Sequence, residues 1–383
     1  MKMHYDVIVI GAGSMGMAAG YFLSQSGKKT LLLDAFNPPH DKGSHHGETR
    51  IIRYAYGEGV EYVPLALRAR DLWQELAQQT GKEIFLQTGV INVGDKNIPF
   101  IKNVIKSAEE FDLPLEVMTA SEVNEKWDGM QLPENFLGCF EPTSGILRVE
   151  SCVEAYRELA LNAGATIRTN SRVTKVYPQS GKVTIYTEDG ATFTADSVII
   201  SAGAWSGKLL KQLDLELPLN PIRKTFAWYD VDERYYNQND FPAFTFELAD
   251  SIYYGFPSID GAGLKVGRHD GGDTIIPDEV KLAFGDVVGD VENLNGFLDE
   301  FMPREHELKL GKTCMYTMTP DEDFIIDVHP KYNNIAIAAG FSGHGFKFAS
   351  AVGEVLSNLI TKGFTDLDIK PFSIKRFSKV GKI

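Results

Sequence analysis

The sequence predicts an α/β fold: a Rossmann-like dinucleotide-binding domain assembled from three stretches of chain, with an antiparallel-sheet domain inserted between them. Three observations predict it. A complete β-α-β unit opens the chain at residues 5–34. Buried-strand patterns of the same kind return at 192–201 and 333–339. From 216 to 314 the character changes: aromatics are dense, strands alternate and turns are Gly-rich, as in a sheet laid over something else.

Residues 5–10 (YDVIVI) are a β-branched run with no polar period, which marks a parallel strand buried on both faces. Gly11-Ala-Gly-Ser-Met-Gly16 follows, then a helix-compatible stretch from Met17 to Ser26. Gly27 closes that helix, and Lys28 and Lys29 sit where its dipole favours cations. TLLL at 30–33 is the next strand and ends at Asp34. A loop rich in Pro, His and Gly spans 37–49. The pattern predicts helices at 64–78, 97–111 and 152–163, and strands at 85–94, 166–175, 182–187 and 192–201. A strand at 263–269 stands out in the aromatic region. After it come a strand at 333–339, a Gly loop at 340–345 and a helix at 346–361. The cofactor domain is therefore expected to comprise 1–90, 146–215 and 315–383, and the inserted substrate domain 91–145 and 216–314.

Composition narrows the function. At 383 residues, 43% hydrophobic and 23% charged, the chain can bury a large core without disulfides or structural metal. A net charge of −14, with no dense Lys/Arg stretch, argues against nucleic-acid or anionic-membrane partners. Cys139, Cys152 and Cys314 are an odd number without CxxC spacing, which indicates neither a disulfide framework nor zinc. Taken singly, each reads as a buried small hydrophobe, and a reducing cytoplasm is the expected compartment. Lys2 before an apolar run could pass for an export signal, but Asp6 interrupts it and Gly11, Gly13, Gly16 and Gly20 follow. No apolar span is long enough to predict membrane insertion.

Four motifs carry chemistry. In Gly11-x-Gly13-x-x-Gly16, the first glycine permits a tight turn, the second lets backbone approach a pyrophosphate, and the third lets helix and strand pack closely. The helix N-terminus faces the phosphate charge, and Asp34 is placed to accept from a ribose. An acid at that position predicts FAD or NAD rather than NADP. The second motif is Gly43-Ser-His-His-Gly-Glu-Thr-Arg50-Ile-Ile-Arg53. Adjacent histidines point poorly at one ion and no third ligand is suitably spaced, so no metal site is expected. Its Ser44, His46 and Thr49 read as a loop passing close to a cofactor. Arg50 and Arg53 could hold a carboxylate bidentately or could lie on the surface. The third motif is Tyr254 with Lys265 and His269: strand alternation puts Lys265, Gly267 and His269 on one face, either lining a polar cavity or solvated. The fourth joins Cys314-Met-Tyr316 to the loop Gly340-Phe-Ser-Gly343-His344-Gly345-Phe-Lys347. Backbone N–H groups in such a loop, opening a helix, would stabilise an anionic ring edge.

Together these motifs resemble the family of monomeric sarcosine oxidase and N-methyltryptophan oxidase, flavoenzymes with the wider glutathione-reductase-like FAD fold. DVIVIGAGSMG, GSHHGETRIIR with AYGEG after it, YYGFP, LKVGRH, CMYT, DEDFIID and GFSGHGFKFAS carry the resemblance over nearly the whole chain. It implies FAD held covalently through the sulfur of Cys314 at the flavin 8α carbon. It implies oxygen activation by Lys265, with Arg50 near the flavin and Arg53 and Lys347 on the substrate carboxylate. Tyr254, His269 and Tyr316 are implied as substrate-pocket residues. His46 and Thr49 are implied as flavin contacts. Thr245 replaces a Met-containing pocket wall of the sarcosine type and leaves more room. The implied reaction is oxidative demethylation of an N-methyl amino acid through an imine, releasing formaldehyde, with O2 reduced to hydrogen peroxide by a monomeric enzyme. The alternative is a dehydrogenase that passes electrons to another acceptor, which would not need a cation such as Lys265.

Overall fold

In the computed structural model, which describes residues 3–179, 181–279 and 282–379, the strand Met3–Ile10 lies at the centre of the first sheet. It pairs in parallel with Thr30–Leu33 on one edge and with Thr192–Ile200 on the other. Thr166–Arg168 extends the sheet beyond Thr30–Leu33. The far edge of Thr192–Ile200 is shared. Its first half pairs antiparallel with Lys182–Thr187, while Val198, Ile199 and Ile200 pair in parallel with Ile335–Ala339.

The absence of a polar period in these strands has a direct cause. Val7, Val9, Leu32 and Ile199 face a core formed with the helices Ser14–Gln25, Val63–Thr80, Val149–Asn162 and Ala349–Thr361. Ile8, Ile10, Leu31, Leu33, Val198 and Ile200 face a second core with Leu209, Leu210 and Leu213. Alternate side chains enter opposite apolar layers, so every position must be apolar.

The second sheet runs His306–Met318, Asn220–Val231, Leu264–Arg268, Ile252–Phe256, Ala243–Glu247, Val90–Asp95, Phe136–Glu141, Glu116–Thr119. The expected antiparallel arrangement holds at every junction but one: Ala243–Glu247 lies parallel to Val90–Asp95. These two strands come from separate passages of the chain, so no hairpin forces them antiparallel. Glu292–Phe301, in a region read as strands, is a helix; Leu294, Phe297, Leu298 and Phe301 pack under Phe244, Phe246 and Tyr253. Their i, i+3, i+4 spacing is the signal the aromatic alternation masked.

Two expected strands are each divided. The stretch 85–94 becomes Phe85–Leu86 and Val90–Asp95, interrupted at Gly89 (φ 70°), and the two pieces join different sheets. The stretch 166–175 breaks around Asn170 (φ 51°), where the left-handed backbone cannot continue a strand. Phe85–Leu86 belongs to a small sheet with Thr49–Ile52 and Gly145–Arg148. His306–Met318 is one continuous strand of the second sheet, so the junction expected at 314 falls inside it. No helix among the described residues is long and apolar enough to cross a membrane.

Candidate active site

A groove of about 700 Å³ runs past the C-terminal ends of the parallel strands, where Ile10, Leu33 and Ser201 line it. The helix Ser14–Gln25 opens onto it with no side-chain cap and no acid in its first turn. Its first N–H groups and the positive end of its dipole therefore remain available to an anion. A Cβ at Gly16 would sit 1.8 Å from the Gly11 carbonyl oxygen, so helix and turn approach this closely only with glycine. Asp34 is buried at the groove wall. Its Oδ2 accepts from Ala12 N (2.8 Å), and its Oδ1 accepts from Phe36 N (2.8 Å) with His40 Nε2 at 3.5 Å. The carboxylate thus fixes the glycine turn while facing the groove.

Three buried polar atoms on the lining, His45 Nε2, Ser171 Oγ and Thr317 Oγ1, find no hydrogen-bond partner among the described residues. Burial, with His40 beside it, pushes His45 down to about 4, so the ring is neutral. An uncapped helix start, an acid at the second strand's end and orphaned polar atoms between them form a set of donors and acceptors that suits the phosphates and ribose of FAD.

The loop 43–50 closes one side. Ser44 Oγ donates to Met315 O (2.5 Å), tying it to the long strand of the second sheet. Arg50 donates through Nη2 to Ser44 O and through Nη1 to Thr49 O, both at 2.8 Å. His46 packs against Phe226 with ring centroids 5.8 Å apart, and burial and Arg50 push it down to about 3. Gly343 and Gly345 line the groove, but the His344 ring, expected with them at the cofactor, lines a different cavity. The loop turns at Gly343 (φ 85°), which sends the next side chain away. A Cβ at Gly343 would come within 2.3 Å of the Tyr316 ring.

That second cavity, about 360 Å³, meets the groove at Arg50, Tyr316, Gly343 and Phe346. Arg53 and Lys347, far apart in sequence, both line it and both are buried. Arg53 Nη2 pairs with Glu58 Oε1 at 2.6 Å, its guanidinium lies over the Tyr56 ring at 5.1 Å, and its buried Nε has no partner among the described residues. Lys347 Nζ donates to His344 O (2.9 Å) and to Tyr56 OH (3.1 Å). Burial and the neighbouring Arg53 push Lys347 down to about 7. Burial raises the Glu58 carboxyl, but Arg53, His344 and Lys347 outweigh it and hold it at about 2.

Tyr254, Thr245 and His269 line the same cavity. Thr245 Oγ1 donates to Asn92 Oδ1 (2.9 Å). Burial, with Lys224 next, pushes His269 down to about 4, and its ring lies 5.5 Å from Tyr316. Burial pushes Tyr254 up to about 12. Glu247 also lines the cavity; burial and then Glu58 push it up to about 7.

Lys265 is placed differently from His269. Although alternation puts both on one strand face, Lys265 lines neither cavity. Its Nζ donates to Gly47 O, to Thr49 Oγ1 (3.1 Å) and to Thr49 O (3.3 Å). The rings of Phe226, Trp228 and Phe256 surround it at 4.7, 5.1 and 4.8 Å. Burial and Arg50 push its pKa down, while three oxygens and three ring faces match an ammonium's charge. Cys314 is buried on the same strand face as Tyr316, in a cluster with Phe226 and Trp228. Cys139 and Cys152 lie in other cores, where burial pushes both thiols up, Cys139 to about 12.

The sequence reading singles out neither Tyr56, Glu58 nor Glu247. The first two lie in AYGEG, which begins two positions after Arg53, in irregular backbone where no period signals a shared cavity.

The match to the family model described as FAD dependent oxidoreductase covers residues 6–359. The chain is 52% identical over 379 residues to monomeric sarcosine oxidase of Bacillus sp. (strain B-0618), covering 98% of this chain and 97% of that one. It is 45% identical over 376 residues to N-methyl-L-tryptophan oxidase of Yersinia pestis (strain Pestoides F), covering 98% and 100%. Among solved structures, L-proline dehydrogenase from P. horikoshii superposes with a TM-score of 0.87 at 20% identity over the full length of both chains, a likeness of fold.

Proposed function

Because the chain belongs to the FAD dependent oxidoreductase family, with monomeric sarcosine oxidase and N-methyl-L-tryptophan oxidase among its relatives, we propose that it oxidatively demethylates an N-methyl amino acid. Sarcosine and N-methyl-L-tryptophan are the candidate substrates. The observation that carries this reading is the meeting of the two cavities at Arg50 and Tyr316, with the cations Arg53 and Lys347 lining the smaller one. A substrate carboxylate held by those two cations leaves the amine end directed toward the groove. Charge-assisted bonds from a guanidinium and an ammonium suit a carboxylate, and Arg53 Nε is a donor in need of an acceptor.

Bound FAD would supply the redox chemistry: it would accept a hydride equivalent from a carbon attached to the amine nitrogen and return the two electrons to O2, giving hydrogen peroxide. Gly11, Gly13, Asp34 and Ser44, which line the groove, would hold it, with Gly16 letting helix and turn close up, Thr49 contributing from the loop beside it and Cys314 as its covalent attachment. His46 would contact it through the same loop. The protein's part at the substrate is electrostatic. The amine must be neutral to react, and the buried cavity with its cations lowers the amine's proton affinity. His269 is neutral and Tyr254 keeps its proton near neutrality, so both can hydrogen-bond the substrate without adding charge. The resulting imine is hydrolysed by water, releasing formaldehyde when the oxidised carbon is the N-methyl group. Lys265 would place a fixed cation where O2 gains negative charge. The enzyme would act as a monomer in the cytoplasm.

The test is peroxide release from a panel of N-methyl amino acids, with the matching decarboxylated N-methylamines as controls. Peroxide from the amino acids alone is expected. Turnover only with an artificial electron acceptor, or equal turnover of the decarboxylated amines, would count against the proposal.

A further inference from the structure

Tyr56 is fully buried between the two cations of the small cavity and touches both. The Arg53 guanidinium lies over its ring at 5.1 Å, and Lys347 Nζ donates to its hydroxyl at 3.1 Å. The same hydroxyl is 2.8 Å from His344 Nδ1, and His344 Nε2 is 3.2 Å from the Glu322 carbonyl oxygen.

The direction of every proton in this chain follows from what each group can give. An ammonium only donates, so the Tyr56 oxygen accepts from Lys347. The phenol proton then goes to His344 Nδ1, which must be bare. The ring's proton therefore sits on Nε2 and points at the Glu322 carbonyl, which only accepts. Burial, though opposed by Glu58, pushes His344 down to about 3, so the neutral ring this order requires is the one present. Packing keeps the parts in place: Tyr56 stacks on Tyr62 at 5.0 Å, and His344 lies against Phe324 at 4.5 Å.

We infer that Tyr56 and His344 are positioning residues for the substrate carboxylate: a Glu322–His344–Tyr56 relay that orients the Lys347 ammonium while the Tyr56 ring seats Arg53. This rests on the carboxylate reading given above for Arg53 and Lys347. It also moves His344 from the cofactor, where the sequence places it, to the substrate side. The charged and titratable groups that line the cavity with Lys347 are Arg50, Arg53, Glu58 and Tyr62, then Glu247, Tyr253, Tyr254, His269 and Tyr316 from the second sheet and its ends, Asp321, Glu322 and Asp323 from the loop after it, and His344 itself.

The experiment uses holoenzyme and methoxyacetate, in which an ether oxygen replaces the amine nitrogen, so that binding reads the carboxylate alone. Its Kd is measured by titration calorimetry across pH for the parent, Tyr56→Phe, His344→Ala, His344→Asn and Lys347→Met. Tyr56→Phe keeps the ring under Arg53 but loses the acceptor. It is expected to weaken binding about tenfold, the scale of one hydrogen bond to a charged group. It should also move the alkaline loss of binding to lower pH, because the ammonium has lost an oxygen partner. KM for substrate should rise by a larger factor than kcat falls. His344→Ala should follow Tyr56→Phe, whereas His344→Asn, whose Oδ1 can stand in for Nδ1, should keep most of the affinity. Unchanged Kd and pH midpoint in Tyr56→Phe, beside weakened binding in Lys347→Met, overturns the relay alone. Unchanged binding in Lys347→Met overturns the carboxylate reading and the relay with it.

Discussion

Replacing Arg53 by Met removes the guanidinium while keeping an unbranched apolar side chain in the buried site. Arg53 spends one donor on Glu58, at 2.6 Å, and its buried Nε–H meets no acceptor among the described residues. A carboxylate entering the cavity can take that N–H without displacing Glu58. The expected loss is one charge-assisted bond of about 1.5–3 kcal/mol. That corresponds to a roughly 10- to 150-fold rise in Kd. A second effect acts on the fold. Without Arg53, Glu58 loses the partner that holds it ionised. Removing one member of a fully buried pair costs about 3–5 kcal/mol. The Glu58 side chain keeps 29% exposure, so the cost here is smaller. The double variant Arg53→Met/Glu58→Gln separates the two effects, since it should recover thermal stability without recovering affinity. The assay is calorimetric titration of each variant with methoxyacetate, alongside thermal melts. A Kd for Arg53→Met within twofold of the parent would refute the assignment of Arg53 to the carboxylate.

Covalent flavin at Cys314 predicts that acid precipitation leaves the yellow colour in the pellet, that Cys314→Ser releases it, and that Cys139→Ser and Cys152→Ser do not. Flavin wholly in the supernatant of the parent protein sinks that assignment. Lys265→Met should slow reoxidation of reduced enzyme by O2 by orders of magnitude and affect anaerobic reduction by substrate less. Stopped-flow measurement of each half-reaction decides it, and reoxidation at the parent rate favours an acceptor other than O2. Lys347, pushed down to about 7, is charged below that pH and neutral above it, so methoxyacetate affinity should fall as pH rises past about 7. A flat profile from about pH 6 to about pH 9, which spans that midpoint, would contradict this. Glu58 is held at about 2 against an ordinary 4.5. Its folded pKa is depressed, so its contribution is full above 4.5 and is lost as pH falls toward about 2. Thermal melts should show Glu58→Gln narrowing the parent's advantage over that window, and an identical acid slope in both would argue against the pair.

Local sequence determined a good deal. The β-α-β unit could be read from residues 5–34 because a strand buried on both faces, a glycine turn and a helix leave overlapping signals within a few residues of one another. The turn at Gly11–Gly16 and the acid at Asp34 could be read from their spacing alone, although at Gly11 it is the backbone of Ser201 and Ala202, far along the chain, that leaves no room for a Cβ. Arg53 and Lys347 can be named through a resemblance, but residue type and spacing alone fit a surface position for Arg53 equally well. Only the folded chain shows both buried in one cavity, brought there by the loop after Thr49–Ile52 and the turn leading into Ala349–Thr361. Tyr56 and Glu58 stayed hidden for the same reason: their partners are Lys347, His344 and Arg53, and irregular backbone carries no period to reveal them. Strand alternation puts Lys265 and His269 on one face and implies a shared cavity, but only His269 lines one. The aromatic side chains of Phe226, Trp228 and Phe256 wall off Lys265, while His269 opens toward Tyr316. Periodicity reports the direction a side chain leaves its backbone, and only tertiary packing decides what it meets there.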